Sequence, residues 1–347
     1  AQLVDFERRG RGNFTWRGTT GDSPGAINVT LTLQKGYVAG SLFIGESVYE
    51  IRPVRGAGAE HLIEQLDMAS FDEGAGTDAV AIPADAVRNT PPVAADLAGS
   101  EIHLLSVYSP QAEAGAGGTA QIEAAIQSAI DLSNTAFINS NMDARVVLVH
   151  TTRVERDDSG DANTDLDWVR TNATVSTLRD TYGADMVSLI TESGGCVLGY
   201  VLQSISGSPS YAFQVTRRDC LGGNLTLTHE HGHNMGFAHN PENASVAGIY
   251  SDSYGHWING VFRTVMSYSN PCTSGCSRVT HFSDPLIQEQ GYDTGITNTR
   301  NNAASGRLTA PVVAAYRSAV VTGNSQTLQV SGGNDDVEER TSDGFMY

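Results

Sequence analysis

Apolar positions recur at every second place through residues 27–51. Ile27, Val29, Leu31 and Leu33 alternate with Asn28, Thr30 and Thr32, and after Lys35-Gly36 the period continues through Val38, Gly40, Leu42 and Ile44. This pattern predicts antiparallel strands joined by tight turns. Another strand follows the Gly45-Glu46-Ser47 turn, and Phe14 and Trp16 are expected to pack on the apolar face of the meander. Residues 1–71 therefore read as a small all-β domain. Residues 72–100, rich in Ala, Gly, Pro, Asp and Thr, show no period and read as an exposed linker. From Glu101 the period switches. Residues 102–108 predict a buried strand and 119–139 a helix with Ile122, Ile126, Ile130 and Phe137 on one face. A second strand is expected over 145–154, so strand, helix and strand make a parallel crossover. A further helix ends near Gly183, and a strand spans 184–190. The segment 211–218 predicts the edge strand against which an extended peptide pairs. Beyond His239 the chain is irregular, with a closing helix expected over 311–320 that has Pro311 in its first turn. The pattern gives an α/β domain over 101–322 and a polar, acidic tail over 323–347.

The chemistry concentrates in residues 228–239, Thr-His-Glu-His-Gly-His-Asn-Met-Gly-Phe-Ala-His. Residues four apart on a helix lie above one another, so His229 and His233 converge on a single ion. Glu230, about 100° round from His229, reaches a water on that ion without being a ligand and is placed as a base. Gly236 supplies a positive φ that ends the helix and brings His239 in as third ligand. Three neutral imidazoles with a fourth position for water make a catalytic zinc arrangement. Gly222-Gly223-Asn224 offers a turn and an N-cap for this helix. His231 points about 200° from His229 and is expected as a surface or hydrogen-bonded histidine rather than a ligand.

With Met266 in the run Thr264-Val265-Met266-Ser267-Tyr268 as a Met-turn, these residues resemble the metzincin zinc endopeptidases. The likeness covers roughly residues 101–320 and is strongest to the reprolysin-like, or adamalysin-like, group that includes bacterial peptidyl-Asp-type enzymes. It implies an α+β domain with a twisted mixed sheet, two long helices and an irregular C-terminal subdomain. It also implies peptide-bond hydrolysis with Glu230 as general base, Met266 as a hydrophobic floor and Tyr268 as a group that reaches the zinc sphere and stabilises the oxyanion. An acidic residue just after the scissile bond is implied too, which requires a cationic partner; Arg263 and Arg278 flank the Met-turn, and surface salt bridges are the simpler reading of both. Asn240 stands where reprolysins carry an aspartate. Residues 1–71 are similar to the propeptides of secreted bacterial proteases, which implies a zymogen inhibited by its own N-terminal domain. That domain has no cysteine, so a thiolate cannot block the zinc; the candidate carboxylates are Asp22, Asp72, Glu73 and Asp78. A catalytically silent zinc-binding module and a zinc hydrolase of non-peptide substrates are the alternatives. The intact Glu230 argues against the first, because a binder needs no base.

Charge and cysteines narrow the setting. A net charge of −18 over 347 residues, with lysine only at position 35, disfavours nucleic acid and anionic membranes as partners. No apolar run is long enough to span a membrane. Cys196, Cys220, Cys272 and Cys276 form an even set, read as two disulfides with the local pairings 196–220 and 272–276. Such bonds imply an oxidising compartment, and the chain reads as secreted. A four-thiolate zinc lacks the paired spacing. Calcium at the acidic run 157–167 is weakly supported, since Leu166 sits where a calcium loop starting at Asp161 needs glycine; a turn capping the next helix is the better reading.

Overall fold

A computed structural model describes residues 1–21, 26–54, 60–71, 77–87 and 99–320. The N-terminal alternation builds one antiparallel sheet of β1 (Gln2–Gly10), β2 (Asn13–Thr19), β3 (Val29–Gln34), β4 (Tyr37–Ile44), β5 (Ser47–Pro53) and β6 (His61–Gln65), in that order. The register sets Phe6, Trp16, Leu31, Gly40, Ile51 and Ile63 in one row across it. This apolar face looks outward: Phe6 and Ile63 are exposed, while Trp16, Leu31 and Ile51 are half-buried. The opposite face, with Thr15, Arg17, Thr30, Thr32 and Ser41, is the buried one. It packs on the helix Thr119–Asn139, whose apolar side is already committed to another core.

The second sheet contains β7 (Ala79–Ala81), β8 (Ser100–Tyr108), β9 (Ala144–Arg153), β10 (Met186–Thr191), β11 (Val197–Val201) and β12 (Phe213–Arg217), in the order β7-β11-β12-β10-β8-β9. Strands β9, β8, β10 and β12 are parallel, and β11 runs antiparallel to β12. Between β8 and β9 lie α1 (Pro110–Ala116) and α2 (Thr119–Asn139). Between β9 and β10 lie α3 (Ala162–Thr171) and α4 (Ala173–Thr181). Then follow α5 (Thr226–Asn234), the short strands β13 (Trp257–Ile258), β14 (Phe262–Arg263) and β15 (Ser277–Arg278), and α6 (Asn302–Val313). Ile122, Ile126, Ile130 and Phe137 enter the larger core with Leu104, Met186, Leu227, Met266 and Phe282; Leu105, Val107, Leu166, Val169, Val187 and Val215 form the core on the other face. Burying each such side chain stabilises by about 1.5–3 kcal/mol.

Several expectations are corrected. The edge next to β12 is occupied by β11, so 211–218 is an internal strand; the short run 197–201, interrupted by Gly199, carries too weak a pattern to register alone. The stretch read as an exposed linker is built in at its middle, where β7 pairs with β11 and Asp78 and Ile82 are buried. The closing helix spans 302–313, because the Asn301 side chain caps it and Pro311 falls near its end instead of its start. The helix carrying the histidines starts after Leu225 at φ 58°, without a side-chain cap; Asn224 donates to the Thr226 hydroxyl instead. Asp161 does cap α3, accepting from the Asn163 backbone N–H. Asp22, Asp72, Glu73 and the tail 323–347 lie outside the described residues. Among the described residues no helix is long and apolar enough to cross a membrane.

Candidate active site

Helix α5 is buried along its whole length, packed against α2 and β11. His229 and His233 stand one turn apart on it, their Nε2 atoms 3.1 Å from each other. Gly236 adopts φ 89°, and a Cβ there would lie 2.7 Å from Ile249 and 2.9 Å from the Leu202 carbonyl, so only glycine turns the chain at this point. The turn brings His239 Nε2 to 3.1 Å from His229 Nε2 and 2.9 Å from His233 Nε2. His229 Nδ1–H donates to the Val265 carbonyl at 3.0 Å and His233 Nδ1–H to the Phe237 carbonyl at 2.8 Å, which leaves both Nε2 lone pairs aimed at one point. Burial, and then the neighbouring imidazoles, push His229 well below its ordinary pKa and His233 down to about 3, so both rings are neutral. Three convergent imidazoles, two of them oriented by the carbonyls behind them, fit zinc by donor chemistry.

A fourth group enters this cluster from the stretch read as a linker. Asp78, just ahead of β7, sets Oδ1 3.0 Å from His239 Nε2 and Oδ2 3.4 Å from His229 Nε2. It completes a buried Asp78, His229, His233 and His239 set. Tyr268 donates its hydroxyl hydrogen to Asp78 Oδ1 and lies 3.4 Å from His239 Nε2. The backbone is anchored as well: Gly199 N–H donates to the Asp78 carbonyl at 3.0 Å, and β7 continues along β11 in parallel register. Sequence reasoning had Asp78 among four carboxylates; the signal that separates it is the short apolar run Ala79-Val80-Ala81-Ile82 behind it.

Glu230 is fully buried, and burial, then Asp78, raises its pKa well above the ordinary carboxyl value. Neither of its oxygens has a hydrogen-bond partner among the described residues. Met266 is fully buried, and a Cβ on Gly232 would sit 2.6 Å from its sulfur, so it packs as a floor under α5. The residue before it, Val265, orients His229, a role that sequence reasoning missed because a backbone carbonyl leaves no side-chain signature. His231 is buried, not on the surface, with Nδ1 3.0 Å from the Ser133 hydroxyl oxygen. Asn240 Oδ1 accepts from the Tyr268 N–H at 3.0 Å, and its amide donates to Glu242 and Asn243, tying the third histidine to the Met-turn.

Arg263 and Arg278 are not surface salt-bridge residues: both are buried. Arg263 donates to the Ser267 carbonyl at 2.8 Å and Arg278 to the Asn224 carbonyl at 2.8 Å. Arg278 also lines a small pocket with Asp78, Thr226, His229 and Tyr268, whereas Arg263 does not. The cysteines pair as 196–220 and 272–276. The first bond ties the start of β11 to the turn before α5, and the second closes the loop between β14 and β15.

Comparison with known proteins is consistent with this geometry. Residues 123–240 match metallo-peptidase family M12B, reprolysin-like. A peptidyl-Asp metalloendopeptidase of Xanthomonas campestris pv. campestris is 26% identical over 327 residues, covering 88% of this chain and 76% of the relative. One of Pseudomonas aeruginosa is 32% identical over 200 residues, covering 50% and 33% respectively. Among solved structures, one titled "Structure of a chaperone-substrate complex" shares the fold at a TM-score of 0.53 and 15% identity, covering 80% of this chain and 39% of that one.

Proposed function

We propose, from the premise that this chain is a metalloendopeptidase carrying a reprolysin-like domain, that it is a secreted zymogen in which residues 1–87 hold a zinc site latent. His229, His233 and His239 would hold the zinc, which when bound supplies a Lewis acid that polarises a carbonyl and makes water acidic. Glu230 takes the proton of the attacking water as its oxygen bonds to the scissile carbonyl carbon, and returns it to the amine nitrogen as the C–N bond breaks. Burial suits it to both steps, because a carboxyl with a raised pKa binds a proton readily. Tyr268, freed of Asp78, donates its hydroxyl to the developing oxyanion. A peptide substrate pairs with β11 along the edge that β7 occupies here.

The observation that carries latency is the position of Asp78. Its carboxylate faces the Nε2 atoms of two of the three histidines and takes the Tyr268 hydroxyl, so water, substrate carbonyl and Asp78 compete for one place. The N-terminal sheet then acts as the carrier of Asp78. The relatives' name, peptidyl-Asp metalloendopeptidase, together with Arg278 beside His229, favours peptide bonds followed by an aspartate.

Casein hydrolysis by the cut chain is expected to vanish with a zinc chelator and return with zinc. Glu230→Gln is expected to keep the metal while turnover falls at least about 100-fold. Full activity after complete zinc removal, or in the Glu230→Gln variant, contradicts the assignment.

A further inference from the structure

Gly199 is the middle residue of β11, and a Cβ built on it would overlap Glu230 Oε2. The same Cβ would lie 3.4 Å from Cβ of Gln214, which pairs with Gly199 in the antiparallel register between β11 and β12. Paired residues share a face of a sheet, so Gln214 and the Glu230 carboxylate occupy one niche between β12 and α5. Both side chains are fully buried. Both amide atoms of Gln214 and both oxygens of Glu230 lack a hydrogen-bond partner among the described residues. Four buried polar atoms without partners in one niche are costly, and the penalty is removed when amide and carboxylate bond directly or through one buried water.

Resting on the reading of Glu230 as the base, we propose that Gln214 is a positioning residue for it: the amide N–H holds one carboxylate oxygen so that the other faces the attacking water. The residue type suits the task. Glutamine donates a hydrogen bond yet carries no proton that Glu230 could exchange, whereas a second acid there would titrate and a lysine would form a fixed ion pair. Its apolar neighbours on β12, Phe213 and Val215, point into the opposite core, so Gln214 has no packing reason to be polar. Ser188 stands beside it in register on β10 but is one strand farther from Glu230, which makes it the control.

The test uses the zinc-loaded chain cut between residues 87 and 99. Gln214→Met, close in volume, is expected to lower kcat about 10- to 100-fold, the loss expected for one hydrogen bond to a charged group. KM, zinc content and melting temperature are expected to hold, and Ser188→Ala to leave kcat unchanged. Gln214→Asn keeps the amide on a shorter stem and is expected to lose less than Gln214→Met. A kcat for Gln214→Met within threefold of wild type overturns the proposal, as does a fall accompanied by loss of zinc. If Gln214→Met does not fold, Gln214→Leu, which also lacks the amide, decides: lower kcat at constant KM supports the role, and wild-type kcat overturns it. Glu230→Gln separates the two readings, since an active Glu230→Gln removes the base itself, whereas an inactive one beside a fully active Gln214→Met removes only the role of Gln214.

Discussion

Arg278 is a guanidinium brought into a buried pocket beside His229, where its Nη1 is oriented by the Asn224 carbonyl. A guanidinium in that place lies within reach of a substrate carboxylate in our functional reading, and charge-assisted bonds of this kind are among the stronger ones. Arg278→Met is expected to reduce kcat/KM for a peptide with aspartate after the scissile bond by about 10- to 100-fold, and to change an otherwise identical alanine peptide little. Steady-state rates on the two peptides check it; equal losses on both would assign Arg278 to structure alone. The His229 and Glu230 positions follow directly from spacing on a helix, and the structure places the imidazoles as that spacing predicts. Val265 and Gln214 could not be read in the same way. The first acts through its backbone, and the second matters only because the sheet register sets it opposite Gly199.

Strand β11 is the element on which our account of substrate binding depends, because it passes directly over Glu230, whose carboxylate occupies the space that a Cβ on Gly199 would take. Gly199→Ala is expected to displace Glu230 and lower turnover at least about 100-fold while zinc stays bound, since no histidine is touched. Wild-type turnover in that variant would mean that the carboxylate has space elsewhere. The same glycine is why β11 escaped sequence analysis: Val197-Leu198-Gly199-Tyr200-Val201 is too short and too interrupted for its period to register, and the edge passed by default to the stronger run in β12. Helix α2, by contrast, has six turns of apolar spacing, and its bounds agree with the reading at both ends. In the N-terminal sheet the alternation marked β3, β4 and β5, but neither the other three strands nor which face docks. Polar residues form that contact: Asp131 of α2 accepts from the hydroxyls of Thr15 at 2.6 Å and Thr32 at 2.5 Å, and from Arg9 at 3.1 Å.

A seam of this kind suits two parts that separate, since hydroxyls and carboxylates that bond across it are also well solvated when it opens. Glu50 of β5 adds a pH dependence to it. Its half-buried carboxyl packs against the second half of the chain, where a Cβ on Gly222 would lie 2.5 Å from its Oε1, and it is faced by Arg52 and Glu64 from its own sheet and by Arg218 and Asp219 across the cleft. Burial, only partly offset by Arg52, pushes it up to about 7. The docked form therefore holds this proton more tightly than the separated form, whose carboxyl returns to about 4.5. Its docking is undiminished below the lower value, weakens as pH rises between the two, and bears the whole penalty above the higher one. Gel filtration of the cut chain at pH 5 and pH 8 is expected to show tighter association at pH 5, with the difference reduced in Glu50→Gln. Association independent of pH in the wild-type chain would exclude Glu50 from this role.

The claim that the N-terminal part keeps a competent zinc peptidase silent through Asp78 is met most directly by one rate comparison. The zinc-loaded chain carries an inserted protease site between residues 87 and 99, and its hydrolysis of an aspartate-containing peptide is followed before cutting, after cutting and removal of the N-terminal piece, and after that piece is returned. We predict a rise of at least about 100-fold on removal, reversed by the returned piece and not by the same piece carrying Asp78→Ala. An uncut chain as fast as the separated catalytic part would contradict the account.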